Sequence, residues 1–301
     1  MNQPVSSHPH TAHAAARKHK RPHTVRRVLG VTALLCVAVG GVSFLLSRPG
    51  AAPAASAAPA ASLSTASVGG AIPGSEAENS GLLTAAQAQA MLADPRMVLV
   101  NHTNKMPDDY AFTTKECGSS TAINKTLQTE AADAFLAMQA AAAKDGVTIW
   151  MQSGYRSVDY QTNLYNKKTQ YYRDKGLSEA EARKKAATIV NPPGYSEHNC
   201  GLAADLNCPE HTTLDTGFES TAAFRWLCAH AEQYGFILRY PKDAEAVTEI
   251  TYEPWHWRYV GPENAALINQ SGLCLEDAVY ALQLLASGQP LPSMDTNTDT
   301  D

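Results

Sequence analysis

Apolar positions along residues 83–286 follow two spacings, and each spacing predicts a different kind of element. Recurrence every three or four residues, together with stop signals, predicts helices over 83–92, 123–143, 157–176, 178–191, 220–234 and 276–286. Short apolar or β-branched runs predict strands over 97–100, 147–151, 202–206, 236–240 and 253–260. Pro254 places the last of these strands near an edge or a bulge, because proline cannot donate a ladder hydrogen bond.

Three of the predicted helices begin at residues that commonly cap helix N-termini. Thr84 and Ser157 each offer a hydroxyl oxygen that can accept a hydrogen bond from a free backbone N–H. Ser178 and Glu181 have the spacing of a capping box, in which each side chain binds the other residue's backbone N–H. These residues set the expected helix starts.

Residues 28–46 form an uncharged apolar stretch, VLGVTALLCVAVGGVSFLL, whose 19 residues just meet the length of a bilayer-spanning helix. Residues 1–27 contain six basic residues and no acidic one, so we expect a disordered cytoplasmic tail and a transmembrane helix over 28–47. Residues 48–80 have the Ala/Pro/Ser-rich composition of a linker. A cleaved signal peptide, giving a secreted protein, is the alternative, because the linker offers small-residue cleavage sites.

The remainder of the chain is acidic. Of the 24 basic residues, seven lie in the first 48 positions, which leaves 17 basic against 29 acidic residues and a net charge of −12. This charge argues against a nucleic-acid partner. We expect one globular domain over 81–287, with its core at 96–270, and a disordered acidic tail over 288–301.

Five of the six cysteines lie outside the apolar stretch: Cys117, Cys200, Cys208, Cys228 and Cys274. An exported domain permits disulfides, and an odd number leaves at least one free thiol. No C-x2-C pair occurs, which disfavours a four-cysteine zinc site. Cys200 either joins a disulfide or, as the less favoured alternative, competes for a metal as a thiolate.

Residues 193–207, PGYSEHNCGLAADLN, bring two types of metal ligand close together. His198 follows a Pro/Gly turn, and Asp205 falls in the apolar run 202–206 that predicts a buried strand. A buried carboxylate needs a partner, and a divalent cation can compensate it. The alternative is a core aspartate satisfied without metal, beside a surface histidine.

The spacing Glu253-x-x-His256 supplies a third ligand and a base. Strand alternation places these two residues on opposite faces, but a kink at the intervening proline can turn both toward one cleft. His198, Asp205 and His256 leave a fourth zinc position open for water, which is the arrangement of catalytic sites. Glu253 would take the proton from that water.

Arg156 lies in a tight Ser-Gly-Tyr turn after a predicted strand. Hydrolysis of a peptide bond develops an oxyanion, and a fixed guanidinium can stabilise that charge. The alternative is a surface arginine paired with one of the many acidic residues.

Three motifs occur along the chain: S-G-Y-R-S at 153–157, then S-x-H-x-x-G-x-A-x-D at 196–205, then E-x-W-H at 253–256. Together they resemble the motifs of VanY-type zinc D-alanyl-D-alanine carboxypeptidases, over about residues 96–270. The resemblance implies a compact α+β domain with a central antiparallel sheet and flanking helices, similar to the zinc-bearing Hedgehog signalling domain. It implies zinc on His198, Asp205 and His256, Glu253 as catalytic base, Arg156 as transition-state stabiliser, and Gln161, Ser196 and Tyr155 close to the substrate.

The activity that this resemblance implies is removal of the terminal D-Ala from peptidoglycan stem peptides or their precursors. The protein would sit in the bacterial cell membrane with its catalytic domain outside. Cleavage of the L,D bond of a tetrapeptide and release of a D-Ala-D-Ala dipeptide stay open as alternatives. A non-catalytic zinc-containing module that binds wall peptides is the alternative from another class, and Glu253 with Arg156 favours the enzyme because a binding module needs neither.

Overall fold

The structure is a computed structural model that describes residues 83–119 and 121–291. The predicted cytoplasmic tail, transmembrane helix and linker, residues 1–80, lie outside these residues, as do residues 292–301 of the predicted acidic tail. Within the described ranges, every helix is too short or too polar to cross a membrane.

The described residues combine helices and short strands. The α-helices are α1 Ala85–Leu92, α2 Thr129–Lys144, α3 Val158–Asp174, α4 Glu179–Ala187, α5 Ala222–His230, α6 Glu245–Thr248, α7 Pro262–Ser271 and α8 Leu275–Ala286. The strands are β1 Thr114–Glu116, β2 Thr126–Gln128, β3 Trp150–Ser153, β4 Ala203–Asn207, β5 Phe236–Leu238 and β6 His256–Tyr259. Short 3₁₀ helices span Pro95–Met97, Glu197–Cys200, Thr216–Ser220 and Ala231–Tyr234.

Two antiparallel sheets organise these strands. One has four strands in the order β3-β4-β6-β5, and the other pairs β1 with β2. All five residues of β4 are buried, which agrees with the apolar run that predicted this strand. The α+β class with antiparallel strands and flanking helices is therefore confirmed for the described residues.

Two apolar clusters stabilise the fold. The larger one packs α2 and α5 on the four-stranded sheet, with Phe135, Leu206 and Trp257 among its members. The second joins α1, α7 and α8 around residues such as Ile268 and Leu282. Each large apolar side chain buried in this way contributes about 1.5–3 kcal/mol, so both clusters hold the sheet firmly in place.

The three capping predictions are confirmed. Thr84 caps α1 in a capping box with Gln87, Ser157 caps α3, and Ser178 with Glu181 forms the predicted capping box at α4. In each case the hydroxyl accepts a hydrogen bond from a backbone N–H in the first turn.

The strand predicted over 97–100 is wrong. A 3₁₀ helix covers Pro95–Met97, and the residues that follow do not pair with another strand. The physical reason is a side chain: the Arg258 guanidinium donates to the carbonyl oxygens of Arg96 and Val98, at 2.7 and 2.9 Å. A buried arginine thus satisfies backbone groups that a neighbouring strand would otherwise bind.

The helix predicted over 123–143 begins too early, and the predicted 220–234 helix is divided. Residues 126–128 pair with β1, so α2 starts at Thr129. Ile123 is 63% exposed, although its spacing from Leu127 is helical. In place of the single helix predicted over 220–234, the structure has a 3₁₀ helix at Thr216–Ser220, then α5, then a 3₁₀ helix at Ala231–Tyr234. Helices α6 and α7 were not predicted.

The strand at 253–260 was predicted to lie near an edge or a bulge, and the edge alternative is wrong. Strand β6 begins only at His256 and lies between β4 and β5, inside the sheet. Pro254 precedes the strand in a turn, where the His256 N–H donates to the Glu253 carbonyl oxygen at 3.2 Å. The missing proline N–H therefore costs no ladder hydrogen bond.

Candidate metal centre

His198 is positioned by a short 3₁₀ helix that a glycine ends. Gly201 has φ +69°, and a Cβ there would press on the Gln128 backbone nitrogen at 3.1 Å. The His198 ring is 2% exposed, and its Nδ1 lies 2.8 Å from the Gly154 carbonyl oxygen. That acceptor requires a proton on Nδ1, which leaves Nε2 unprotonated and able to bind a metal.

Gly154 must approach the neighbouring strand closely to present this carbonyl. A Cβ at this position would collide with the Thr126 carbonyl oxygen, while the Gly154 N–H donates to Asn124 O at 2.8 Å. The glycine of the S-G-Y-R-S motif is thus required by the close packing of this turn on β2. The turn positions His198 through the backbone.

Asp205 and His256 are paired by strand register. They are direct partners across β4 and β6, and both are almost fully buried. Asp205 Oδ1 lies 3.3 Å from His198 Nε2 and 3.3 Å from His256 Nδ1. The three ligand atoms lie within 4.8 Å of one another, and Oδ1 has no hydrogen-bond partner in the described structure.

This donor set fits a zinc ion. Two atoms bound to one tetrahedral zinc at about 2.1 Å lie about 3.4 Å apart, close to the 3.3 Å that separates Asp205 Oδ1 from each histidine nitrogen. A buried carboxylate oxygen without a hydrogen bond is costly, and a cation is a partner that removes the cost. Two imidazoles and one carboxylate also leave one coordination position for water or substrate.

The Glu253 carboxylate lies against the same cluster. Its Oε2 is 3.6 Å from His256 Nδ1, and the residue is 5% exposed. The turn at Pro254 brings it there, and the Glu253 N–H is fixed on the Tyr240 carbonyl oxygen at 3.2 Å. Burial raises the pKa of Glu253 to about 8, with His256 opposing the rise. The predicted convergence of these two side chains on one cleft is what the geometry shows.

The charges in the cluster shift the pKa values of its histidines in opposite directions. Burial, followed by the Arg156 charge, lowers the pKa of His198 to about 4. Burial also opposes the charge on His256, but the Asp205 and Glu197 carboxylates close to its ring outweigh it and raise the pKa of His256 to about 9. His256 thus retains a proton among carboxylates in the metal-free protein. A divalent cation can replace that proton.

Arg156 contacts Asp205 on the side away from the histidines. Its Nη2 forms an ion pair with Asp205 Oδ2, and its Nε donates to Ser153 Oγ at 3.0 Å. The Arg156 side chain keeps 14% of its surface exposed. Burial raises the pKa of Asp205, but the charges of His198 and Arg156 outweigh it and hold this pKa well below its usual range.

The three predicted substrate contacts differ in their surroundings. Gln161 is 1% exposed and donates to the Asn191 carbonyl oxygen at 2.7 Å, while its Oε1 is buried without a partner. Ser196 is buried directly before the 3₁₀ helix that carries His198. Tyr155 is partly exposed and packs edge-on against Phe112 at 5.6 Å.

Glu197, which was not predicted as a site residue, is fully buried beside His256. Its carboxylate forms ion pairs with Arg239 and Arg258, which are also fully buried. Burial raises the pKa of Glu197, but these two charges outweigh it and hold the pKa far below its usual range. The available signal was an arginine inside each of two apolar strands, because such a residue requires a buried partner.

The five cysteines of the described residues are all free thiols. Cys200 is buried, and its burial raises the pKa to about 12. A thiol that stays protonated is a poor metal ligand, so the thiolate alternative for Cys200 is not supported. The ligand cluster contains no cysteine.

Comparison with known proteins places this arrangement in a class of metal-dependent peptidases. The profile of the VanY family, described as D-alanyl-D-alanine carboxypeptidase, matches residues 124–262. A D-alanyl-D-alanine carboxypeptidase of Enterococcus faecalis (strain ATCC 700802 / V583) is 36% identical over 197 residues, covering 65% of this chain and 69% of that relative. The chain belongs to the VanY family of D-alanyl-D-alanine carboxypeptidases.

Solved structures of the family superpose on most of the described domain. A VanY D,D-pentapeptidase variant from a VanB-type resistance cassette, in complex with Zn(II), is 34% identical with a TM-score of 0.54, covering 62% of this chain and 99% of its own. VanYB in complex with D-alanine-D-alanine is 36% identical with a TM-score of 0.55, covering 62% of this chain and 97% of its own.

Proposed function

We propose that the protein is a zinc-dependent carboxypeptidase that removes the terminal D-Ala from peptidoglycan stem peptides or their precursors. The observation that carries this proposal is the buried cluster of His198, Asp205 and His256 with the Glu253 carboxylate 3.6 Å from one ligand. The zinc and D-Ala-D-Ala complexes of the similar VanY structures support the metal and the substrate class.

His198 Nε2, Asp205 Oδ1 and His256 Nδ1 would hold the zinc ion, because these atoms face one another. Zinc bound there supplies Lewis-acid polarisation of the scissile carbonyl and lowers the pKa of a water molecule to about 7. The surrounding burial excludes other water and strengthens each electrostatic contact in the site.

Glu253 moves the proton in this proposal. Its carboxylate accepts a proton as the water oxygen attacks the carbonyl carbon of the terminal peptide bond. The C–N bond then breaks, and Glu253 delivers the proton to the amine of the departing D-Ala. A carboxyl group whose pKa is raised by burial is suited to both transfers near neutral pH.

Arg156 stabilises negative charge that develops on the carbonyl oxygen, and it also orients Asp205. The ion pair to Asp205 fixes the guanidinium, and its exposed edge leaves room for a substrate oxygen. We assign Tyr155, Ser196 and Gln161 to substrate contact. Tyr155 is the member of this set that is most exposed, whereas Gln161 and Ser196 are almost fully buried.

We further propose that residues 28–46 anchor the protein in the bacterial membrane, with the catalytic domain outside. The support is the uncharged length of this stretch and the six basic residues before it. An anchor and a long linker would keep the domain close to wall peptides at the outer face of the membrane that residues 28–46 span.

Product analysis tests the function directly. The purified protein is incubated with a stem pentapeptide, a stem tetrapeptide and D-Ala-D-Ala, and the product masses are recorded with and without a chelator. We expect chelator-sensitive release of D-Ala from the pentapeptide. Cleavage of the tetrapeptide alone would indicate the L,D activity, hydrolysis of free D-Ala-D-Ala would indicate the dipeptidase, and zinc binding without any product would indicate a binding module.

A further inference from the structure

The two histidines of the metal centre are held through different partners. His198 has its outer nitrogen, Nδ1, against a backbone carbonyl oxygen. The outer nitrogen of His256 is Nε2, because Nδ1 faces Asp205 and Glu253. The group opposite His256 Nε2 is the Glu197 carboxylate, with Oε2 at 3.5 Å.

Two polar atoms at this contact are buried without any other partner. Glu197 Oε2 and His256 Nε2 make no hydrogen bond within the described residues, and both residues are almost fully buried. An N–H···O hydrogen bond has a length of about 2.7–3.2 Å, so a shift of about 0.5 Å would join them. Each atom can supply the hydrogen-bond partner that the other lacks, because an imidazole N–H donates and a carboxylate oxygen accepts.

Glu197 cannot turn away from His256, because its other oxygen is held in place. Oε1 accepts a hydrogen bond from Arg239 Nε at 2.6 Å and lies 2.8 Å from Arg258 Nη1. Arg239 is itself fixed by a two-point ion pair to Glu276, with distances of 2.8 and 2.5 Å. The buried charges of Arg258 in β6 and Arg239 after β5 thus hold the Glu197 carboxylate with Oε2 toward His256.

We propose that Glu197 is a positioning residue of the zinc centre, which accepts a hydrogen bond from His256 Nε2 and thereby directs Nδ1 to the metal. This inference rests on the proposed zinc site. A carboxylate behind a ligand histidine fixes the ring tautomer and orientation and increases the basicity of the metal-binding nitrogen. Loss of such a partner typically lowers metal affinity about 10–100-fold.

A matched pair of variants tests the proposal in the full-length protein. Glu197→Gln and Glu276→Gln each remove one carboxylate charge from Arg239, but only Glu197 contacts His256. Zinc affinity is measured by competition with a chelator of known affinity, and thermal unfolding of the metal-free proteins reports the loss of stability. We expect Glu197→Gln to weaken zinc binding about 10–100-fold and Glu276→Gln to leave it within a few-fold. Equal weakening in both variants, or wild-type affinity in a folded Glu197→Gln protein, would overturn the proposal.

A measurement on the wild-type protein keeps the proposal testable if Glu197→Gln does not fold. Nitrogen NMR of histidine-labelled, zinc-loaded protein, assigned with a His256→Gln variant, should show metal on Nδ1 of His256 and a slowly exchanging proton on Nε2. Metal on Nε2 would overturn the proposal. These readouts do not depend on turnover, so a protein that binds zinc as expected but releases no D-Ala would refute the proposed activity and leave the role of Glu197 supported.

Discussion

Asp205 and His256 lie directly opposite each other on the adjacent antiparallel strands β4 and β6. The hydrogen-bond ladder of the sheet therefore fixes their backbones and holds Asp205 Oδ1 3.3 Å from His256 Nδ1. His198 joins them from a turn that is held on Gly154. Ligands whose backbones are fixed by a sheet lose little conformational entropy when they bind an ion.

Alanine at any one of His198, Asp205 or His256 should reduce the zinc content of the purified protein. Each change removes one of three protein ligands, and two ligands hold zinc weakly. Metal analysis after dialysis against a weak chelator checks this. The control is His211→Ala, which removes an imidazole that pairs with Asp215 away from the cluster. Full and tight zinc in the His256→Ala protein would show that the ligand assignment is wrong.

Glu253→Gln should keep zinc and lose most turnover. The amide has the size of the carboxylate but cannot accept or deliver a proton, and general acid–base catalysis contributes about 10²–10⁴-fold. We expect a loss of this size in kcat with unchanged zinc content. The control is Glu263→Gln, at an exposed position in the first turn of α7. Wild-type kcat in the Glu253→Gln protein would remove this residue from the mechanism.

Arg156→Ala should lower kcat by about 10²–10³-fold, the usual effect of removing one oxyanion-stabilising group. Zinc content must be measured in the same samples, because Arg156 also pairs with the ligand Asp205. Arg225→Ala, at an exposed arginine of α5, controls for loss of a positive charge. An unchanged kcat in a zinc-filled Arg156→Ala protein would contradict the role.

The metal-free protein should lose stability as the pH rises from about 6.5 to 9. The pKa of His256 is raised from 6.5 to about 9, and that of Glu253 from 4.5 to about 8. In this window the folded protein retains protons that the unfolded chain releases, so the free energy of unfolding falls with pH. Below pH 6.5 the lowered pKa of His198 acts with the opposite sign and offsets Glu253.

Thermal unfolding of chelator-treated protein at pH 6.5, 7.5 and 9 checks this dependence. The zinc-loaded protein is the control, because the cation takes the place of the proton on His256. A midpoint temperature that rises between pH 6.5 and 9 in the metal-free protein would contradict the prediction.

Residues 28–46 should remain attached to the mature protein if they form an anchor. Their uncharged length of 19 residues exceeds the apolar region of a cleaved signal, which has about 7–15 residues, and the basic residues before them favour a cytoplasmic amino terminus. Amino-terminal sequencing of protein extracted from membranes is the measurement. A mature chain that begins within residues 48–80 would identify a signal peptide instead.

Local signals predicted much of the helical structure, because capping depends on residues within one turn. Ser157, Ser178 and Thr84 cap the helices where the sequence indicates. The buried strand β4 could also be predicted, since a short apolar segment with one charged residue indicates a core strand that carries a functional group. The motif spacing brought His198, Asp205, His256 and Glu253 together as candidates.

Long-range contacts account for what the sequence did not reveal. The apolar run at 97–100 has the composition of a strand, but the Arg258 guanidinium donates to the Val98 carbonyl oxygen within it and to the Arg96 carbonyl oxygen just before it. Glu197 is similar: before a histidine in a polar turn, it cannot be distinguished from a solvated acid until Arg239 and Arg258 are seen around it. Both cases depend on arginines that are distant in the sequence, Arg258 in β6 and Arg239 directly after β5.

The buried arginines also determine how far the protein can be truncated without loss of stability. Arg258 donates to the carbonyl oxygens of Arg96 and Val98, and Arg239 pairs with Glu276 on α8, yet the family profile matches only residues 124–262. A protein trimmed to that profile would keep both guanidinium groups in the interior and delete these partners. Removing one partner of a buried charge typically costs about 3–5 kcal/mol. The segment that matches the family profile is therefore smaller than the unit that folds, and a stable excised domain needs the residues from Arg96 through α8.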